Sequence, residues 1–522
     1  MVSAETQSIS SHESQEVRSK RKHRTHAGEP VRVRAARLLD IFIFIILLSV
    51  IALVAVPYGT VEPLWESAYQ CIIFALVALW IIEGMLAGGE WQIKGWWLIA
   101  PLLLLVAYAF VQTAPMWSAG GEVAGVKGAT LRTISVDPYS TRLAAWKMLT
   151  LTLTGALLLR YTSNHRRLRA LVFVIIGVGI VSALFGLVRQ TTHQNTPGFI
   201  LPLLRPGVGY GQFINRNHFA YLMEMALGLA LGFVFVKGEQ RNRALLFLGL
   251  TLPLWTALVL SNSRGGILSM FCQLLFIFLL SRSTRPESEL PEWRAGWLGW
   301  VTRIANSRLI RALLAVCLLL AIVIGVLVVG GDPLAKRLES MQTEASIAET
   351  GVEVEGSRRV KIWRATWEII KEHPVTGIGF GGFWIAIDRY YAPLGRTRPY
   401  QAHNDYLELL ASGGIIGVAL AAWFLFQFLK RVRLSLYSKD SFRRAACCGA
   451  LTGLFGIAVH SVVDFGLQIT ANAVMCVALA VIAAVDDRVE SPSKKRSSTM
   501  SRAQDDSAGG AFTGRRRHSP KS

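Results

Sequence analysis

The chain has 522 residues, of which 52% are hydrophobic and only 17% charged, and its mean hydropathy is +0.41. This composition excludes soluble, secreted disulfide-rich and fibrous proteins and is typical of a polytopic membrane protein. The formal charge of +21 arises from 55 Lys and Arg against 34 Asp and Glu. Because the basic residues gather in the tails and between apolar segments, we attribute the excess to membrane topology and not to nucleic-acid binding.

Apolar runs recur along the chain, each long enough for a helix to cross about 30 Å of hydrocarbon. They predict an all-α polytopic protein with about twelve transmembrane helices, at 38–56, 68–86, 96–111, 143–159, 170–188, 219–236, 244–260, 267–280, 312–329, 406–429, 445–463 and 469–485. A cytoplasmic N-terminus puts 37 of the 55 basic residues inside and 17 outside. The positive-inside rule therefore predicts that both termini are cytoplasmic.

The two ends of the chain are polar, basic and rich in Ser. Residues 1–37 and 486–522 are predicted to be disordered cytoplasmic tails. The first tail is too long and too charged for the start of a secretory signal peptide. The six cysteines fall within predicted helices without C-x-x-C spacing, which indicates packing residues.

The connection at 330–405 is predicted to be a long loop outside the membrane, and it carries ten of the seventeen outside basic residues. Such loops usually have a function. Within it Val360, Trp363, Trp367 and Ile370 share one face, which predicts an amphipathic helix ending before Pro374. This helix lies either on the membrane surface, with its tryptophans toward the lipid, or against its neighbours.

The segment 377–382 matches the pattern G-x-G-x-x-G of dinucleotide-binding proteins. That interpretation fails because the motif follows a helix instead of a strand and no βαβ unit surrounds it. A flexible or tightly turned loop is the better prediction.

Polar patches occupy the predicted outside ends of several helices. Four of them are found, at 211–220, 261–266, 403–406 and 460–465. Ionisable residues at the ends of membrane spans tend to line a cavity or to pair with one another. The patches therefore predict a polar pocket at the outer face of the membrane.

Two arginines in these patches are candidates for anion binding. Arg264 lies in a connection of only about six residues, where it either holds an anion or anchors the helix at the lipid headgroups. Arg216 lies between Asn215 and Asn217 immediately before an apolar span, and a helix N-terminus favours anions. The alternative for Asn217 is a plain N-cap.

His403 is the outside residue best suited to proton transfer, since imidazole titrates near neutral pH and Asn404 and Asp405 could set its tautomer. His460 and Asp464 are four residues apart and are predicted to share a helix face. A hydrogen-bonded pair that stabilises the bundle is favoured there over a catalytic dyad.

Several motifs together resemble the superfamily of O-antigen ligases and O-antigen polymerases, the lipopolysaccharide O-antigen ligase-related membrane proteins. They are Gly-x-Phe-x-Asn-x-Asn-x-Phe-Ala at 211–220, Ser-Arg-Gly at 263–265, Arg-x-x-x-Trp at 359–363, His-Pro-x-x-Gly-x-Gly at 373–379, His-Asn-x-Tyr-Leu at 403–407 and Gly-x-x-Gly at 414–417. The resemblance covers residues 205–470, including the loop 330–405. Residues 38–204 would form N-terminal transmembrane helices and 471–485 the last one.

The resemblance implies a GT-C-like helical bundle in the bacterial inner membrane with one large periplasmic loop. It implies transfer of a glycan from an undecaprenyl-diphosphate carrier to a lipid or glycan acceptor, by inversion and without a metal or other cofactor. His403 would accept the proton of the acceptor hydroxyl, and Arg264 would stabilise the leaving diphosphate, because a guanidinium matches phosphate oxygens. The other members of the predicted site are the diphosphate-binding residues Arg216, Arg359 and Arg364 and the supporting residues Asn215, Asn217, Asn404, His460 and Asp464.

Two alternatives remain at this stage. One is a repeat-unit polymerase of the same superfamily, which differs from a ligase in its acceptor. The other is a multi-pass transporter or flippase of envelope glycans, although a transporter has no evident need for the long basic loop. The sequence alone leaves open the sugar, the acceptor, the oligomeric state, the role of the tails and the partners of Glu83, Lys147 and Glu224.

Overall fold

A computed structural model of the chain describes residues 30–88, 95–123, 126–162, 164–192, 209–236, 241–283, 355–391, 398–438 and 440–485. Several predictions lie outside these residues: the helix at 312–329, the first part of the long loop and nearly all of both tails. The account below concerns the described residues.

Helices dominate the described residues, as the composition predicts. In chain order they are α1 (Val31–Leu53), α2 (Pro63–Leu86), α3 (Trp96–Val111), α4 (Pro138–Tyr161), α5 (His165–Thr191), α6 (Arg216–Phe235), α7 (Arg241–Leu260), α8 (Arg264–Ser283), α9 (Glu355–Glu372), the single turn α10 (Phe383–Ala386), α11 (Asp405–Leu436), α12 (Ser441–His460) and α13 (Thr470–Ala484). Eleven of the twelve predicted membrane helices coincide with helices in this set. The prediction of an all-α polytopic membrane protein is confirmed.

Eight of the described helices are long and apolar enough to cross a membrane: α1, α2, α4, α5, α6, α8, α11 and α12. The apolar helices α3 and α13 are shorter, as is the apolar part of α7. The first helix begins at Val31, seven residues before the predicted start, because the basic segment ahead of the apolar run continues the same helix.

A small antiparallel hairpin interrupts the helical chain, and the sequence analysis did not predict it. Its strands are β1 (Trp117–Val123) and β2 (Val126–Arg132), with Trp117 opposite Arg132. The apolar-run analysis assigned these residues to a connection between α3 and α4, because neither strand has a hydrophobic alternation.

The described residues divide into two compact units, 30–47 with 74–88 and 48–73 with those from 95 to 485. In the first unit the buried side chains include Ile43 and Leu47, four apart on α1, and Leu76 on α2. The four-residue spacing places Ile43 and Leu47 on one face of that helix.

The second unit is built around α6 and α12, which pack together closely through glycines. Gly228 and Gly232 on α6 meet Gly449 and Gly453 on α12, so that two G-x-x-x-G motifs face each other. A side chain at Gly232 would collide with the backbone at Gly449. Small residues at this spacing let membrane helices approach at backbone distance, where van der Waals packing holds them together.

Helix α11 is broken at Gly414, whose φ of 60° is left-handed. The segment after α9 fills the break: the Ile378 N–H donates to the Ala411 carbonyl (3.0 Å), and the Ile415 N–H donates to the Pro374 carbonyl (2.9 Å). Gln112 on the far side donates to the Ser412 carbonyl (3.0 Å). Irregular backbone in a membrane protein persists where neighbours satisfy it in this way.

The Gly-rich motif at 377–382 is part of this arrangement. Gly377, Gly379 and Gly381 all have positive φ, and a side chain at Gly377 would collide with the backbone of Ser412. The motif therefore forms a tight turn against the broken helix, in agreement with the prediction of a turned loop.

Helix α9 is the amphipathic helix predicted in the long loop. Its buried face consists of Ile362, Ala365, Ile369 and Ile370, which pack with Ile378 and Phe383 in one hydrophobic cluster. Trp367 is about half exposed, at 49%. The buried face is therefore the aliphatic one, and α9 packs on neighbouring segments, including α11, as the second of the two alternatives predicted.

Candidate functional site

The polar patches singled out in the sequence meet at one end of the α6–α12 pair. The start of α6 and the end of α12 approach there, and the start of α8 packs on them through Gly265 and Gly266. A Cβ atom at Gly265 would stand 2.6 Å from the His460 ring. Helix α11 joins the same end, because the Asp405 N–H donates to the Ser461 carbonyl (3.0 Å).

Asp464 lies at the centre of this polar end, with its side chain 1% exposed. Asn217 donates from Nδ2 to Asp464 Oδ2 (2.5 Å), and the Phe465 N–H donates to Oδ1 (2.9 Å). Arg359 Nη2 stands 3.8 Å from Oδ2, and His403 Nδ1 stands 3.5 Å from Oδ1. One carboxylate thus joins residues from α6, α9 and the loop before α11.

The electrostatics of this cluster keep Asp464 ionised. Burial by itself would raise the pKa of the Asp464 carboxyl, but the contact with His403 and the charge of Arg359 outweigh burial and lower that pKa well below its usual range. At 3.5 Å the contact between His403 Nδ1 and Asp464 Oδ1 is longer than an ordinary hydrogen bond. The cluster therefore places one fixed negative charge between the Arg359 guanidinium and the His403 imidazole.

His403 itself has an unusual backbone and a partly open side chain. Its φ of 51° is left-handed, which is uncommon for residues other than glycine, and its side chain is 30% exposed. The ring meets Phe465 edge to face, with centroids 4.8 Å apart. Asn404 follows as the N-cap of α11 and accepts from the N–H groups of Tyr406 and Leu407. The left-handed backbone of His403 and the Asn404 cap therefore fix the position of the imidazole at the start of α11.

A buried chain of polar groups continues from this cluster into the bundle. Ser461 donates from Oγ to Asp405 Oδ2 (2.8 Å). The hydroxyls of Ser461 and Tyr221 lie 3.3 Å apart, and the Tyr221 ring stacks on His460. His460 Nδ1 lies 2.6 Å from Glu224 Oε1.

Two charged residues whose partners the sequence left open, Glu224 and Lys147, have partners in the structure. Glu224 pairs with His460 and accepts from Ser269 Oγ (2.8 Å). Lys147 pairs with Glu66 (3.3 Å) and donates to the Gln468 carbonyl (2.9 Å).

The geometry differs from the predicted pairing of His460 with Asp464 on one helix face. Helix α12 ends at His460, so Asp464 lies beyond it in the following turn. The His460 ring bonds to Glu224, whereas Asp464 bonds to Asn217 and contacts His403. His460 is therefore held by the bundle, and Asp464 belongs to the polar end.

The predicted arginines are distributed unevenly around the cluster. Arg216 and Arg264 are the first residues of α6 and α8, and both are exposed. Arg359 is buried beside Asp464, whereas Arg364, five residues further along α9, is exposed. Asn215 caps α6 by accepting from the Asn217 N–H (2.9 Å). Two exposed guanidinium groups thus coincide with helix N-termini, which themselves favour anions.

Sequence analysis missed three contributors to this site. The sequence does not show that Glu224 pairs with His460, that Asp405 bonds to Ser461 and not to His403, or that Phe465 contacts His403. A search for opposite-sign residues in other apolar spans would have suggested Glu224 for His460. No local spacing points to Phe465, because its contacts with His218 and His403 come from distant parts of the chain.

The helices and this polar end define a multi-pass membrane protein with a charged site at the end of its helical core. Residues 246–422 match the family model described as O-antigen ligase. This match, over 177 of the 522 residues, confirms the resemblance to the O-antigen ligase superfamily found in the sequence. No curated protein matches the chain in a direct comparison. The matched region contains Arg264, Arg359, Arg364, His403 and Asn404, whereas Asn215, Arg216, Asn217, His460 and Asp464 lie outside it.

Proposed function

We propose that this protein is an inverting membrane glycosyltransferase that moves a glycan from an undecaprenyl-diphosphate carrier to a lipid or glycan acceptor at the periplasmic face of the inner membrane. The observation that carries the proposal is the partly exposed imidazole of His403 against the buried carboxylate of Asp464. This pairing is typical of a general base whose tautomer is fixed by a second group.

The ring orientation supports a role for His403 as the base. Its Nδ1 faces Asp464, so the proton of the neutral ring belongs on Nδ1 and Nε2 remains to accept a proton. Nε2 takes the proton of the acceptor hydroxyl while that oxygen forms a bond to the anomeric carbon. The bond from this carbon to the carrier diphosphate breaks in the same displacement, which inverts the anomeric configuration.

The leaving diphosphate needs positive charge, and the proposal assigns this to arginines and helix N-termini. Arg264 and Arg216 are the first residues of α8 and α6, two helix N-termini that lie at the same end of the bundle and favour anions. Arg359 holds Asp464 and neutralises part of its charge. Arg364 remains a reserve candidate on the exposed side of α9.

The experiment that tests this function uses the purified protein in lipid nanodiscs with a polyprenyl-diphosphate-linked glycan and an acceptor. Release of free carrier diphosphate, undiminished by a chelator of divalent cations, is the expected result. A transporter or flippase would move the donor across a bilayer in proteoliposomes without releasing carrier. That outcome, or turnover that stops when magnesium and manganese are removed, would overturn the proposal.

A further inference from the structure

An aromatic surface lies beside the polar end, and the proposed chemistry does not use it. It consists of Trp384, Asp388, Arg398 and Tyr400. The rings of Trp384 and Tyr400 are nearly parallel, with an interplanar angle of 21° and centroids 6.2 Å apart. Tyr400 is 68% exposed. An exposed ring stacked beside a second ring offers a flat apolar face to a ligand.

A hydrogen bond to Asp137 holds the Trp384 side chain of this surface in place. Trp384 donates from Nε1 to Asp137 Oδ2 (3.1 Å), and Ser140 donates to the same carboxylate from its N–H (3.1 Å) and its hydroxyl (2.6 Å). Partial burial by itself raises the pKa of the Asp137 carboxyl, but these hydrogen bonds together lower it. The polar edge of the indole is therefore already satisfied, which leaves its ring for packing.

Charged groups border the rings. The Arg398 guanidinium lies 4.7 Å from the centroid of the Trp384 ring and pairs with Asp388 at 2.5 Å. The side chains of Arg398 and Asp388 are 32% and 52% exposed. A guanidinium and a carboxylate beside an aromatic face supply both donors and acceptors.

The position of this surface relative to His403 is fixed. The Ala402 N–H donates to the buried Glu408 on α11 (2.9 Å), which ties the segment between Tyr400 and His403 to the helix. Tyr400 and His403 are three positions apart in the chain, so their Cα atoms are at most about 11 Å apart. A ligand that reaches the imidazole can therefore also cover the Tyr400 ring.

We propose that Trp384, Asp388, Arg398 and Tyr400 form a saccharide-binding subsite next to His403. The apolar C–H face of a sugar ring stacks on Tyr400, and its hydroxyls bond to Asp388 and Arg398. The two aromatic rings by themselves would also be compatible with contact to the membrane interface, where Tyr and Trp are enriched. The exposed Asp388–Arg398 pair favours a polyhydroxylated ligand over lipid. The inference rests on the proposed function, since it assumes a glycan substrate.

Saturation-transfer NMR tests the subsite without requiring turnover. The probe is the water-soluble oligosaccharide released from the lipid-linked donor by mild acid, added to the purified protein. Tyr400→Ala should abolish transfer of saturation to sugar-ring protons, and Tyr400→Phe should retain it, because stacking needs the ring and not the hydroxyl. Tyr437→Ala is the matched control: Tyr437 is 69% exposed at the opposite end of α11 and should behave as wild type.

Kinetics then distinguishes the donor glycan from the acceptor glycan. Tyr400→Ala should raise one KM by about fivefold or more and leave kcat within about twofold. The KM that changes identifies which glycan occupies the subsite. Saturation transfer that is unchanged in Tyr400→Ala, equally lost in Tyr437→Ala or absent from wild type overturns the subsite. Absence of carrier release by wild type, in contrast, overturns the proposed function and not the binding result.

Discussion

Asp464 and Glu224 illustrate two uses of a buried carboxylate within one bundle. Asp464 holds groups from three segments that could take part in chemistry, and it lies where the helices end. Glu224 is enclosed by His460 and Ser269 inside the helical core. A buried charge is costly unless it is paired, so both residues should be critical to stability.

Replacing Asp464 by Asn should destabilise the protein by about 3 kcal/mol at neutral pH, because Arg359 loses its buried counter-charge. The folded-state pKa of Asp464 is lowered, so its contribution is fully present above the unfolded pKa near 3.9 and is lost as the pH falls toward the folded value. Thermal unfolding of both proteins should show a constant difference from pH 5.5 to 8 and a narrowing one in acid. A stability difference between the two proteins that grows in acid would contradict the lowered pKa of Asp464.

The pair between Glu224 and His460 should show strong energetic coupling. Replacing either residue alone by Leu leaves the other polar group buried without its partner, which costs about 3–5 kcal/mol. The double replacement removes both groups and should cost less than the sum of the single changes. A double-mutant cycle measured by thermal unfolding tests this, with additive shifts as the contrary result.

At the scale of elements, glycine determines which helices can meet. The G-x-x-x-G faces of α6 and α12 bring their backbones together, and the missing side chain at Gly265 leaves room for the His460 ring against α8. The break at Gly414 in α11 admits the loop after α9. The site is therefore assembled by close backbone approach as much as by its polar side chains.

Replacing Gly232 by Leu should prevent the close approach of α6 to α12 and lower both the yield of folded protein and its melting temperature. Gly249 on α7 is a suitable control, because a side chain there meets no atom within 4 Å. Gly249→Leu should express normally. Equal behaviour of the two variants would show that the α6–α12 contact does not hold the bundle together.

The sequence predicts most of these elements but only part of their arrangement. Apolar run length identifies eleven of the twelve helices, because a span must be apolar over its whole length. The facing glycines, the break at Gly414 and the burial of Arg359 depend on which helices are neighbours, and local pattern does not encode this. His403 and Asp464 could be nominated from residue type, but their contact spans 61 positions in the chain.

At the scale of the whole molecule, the account requires the polar end of the bundle to face the periplasm and both termini to face the cytoplasm. A single cysteine at exposed Tyr400, in a variant lacking the native cysteines, should react with a membrane-impermeant maleimide added to intact spheroplasts. A cysteine at Tyr437, at the other end of α11, should react only after permeabilisation. The reverse pattern would place the site on the cytoplasmic side and would contradict the proposal that the donor is used at the periplasmic face.

The most direct test of the central claim is the rate of carrier-diphosphate release by His403→Ala compared with wild type in the purified system. Loss of a general base should lower kcat by about 10²-fold or more while the variant expresses, folds and binds donor as wild type does. Arg264→Ala should also lose transfer, because the leaving diphosphate would lack its counter-charge. Wild-type release by the His403→Ala protein would contradict the mechanism.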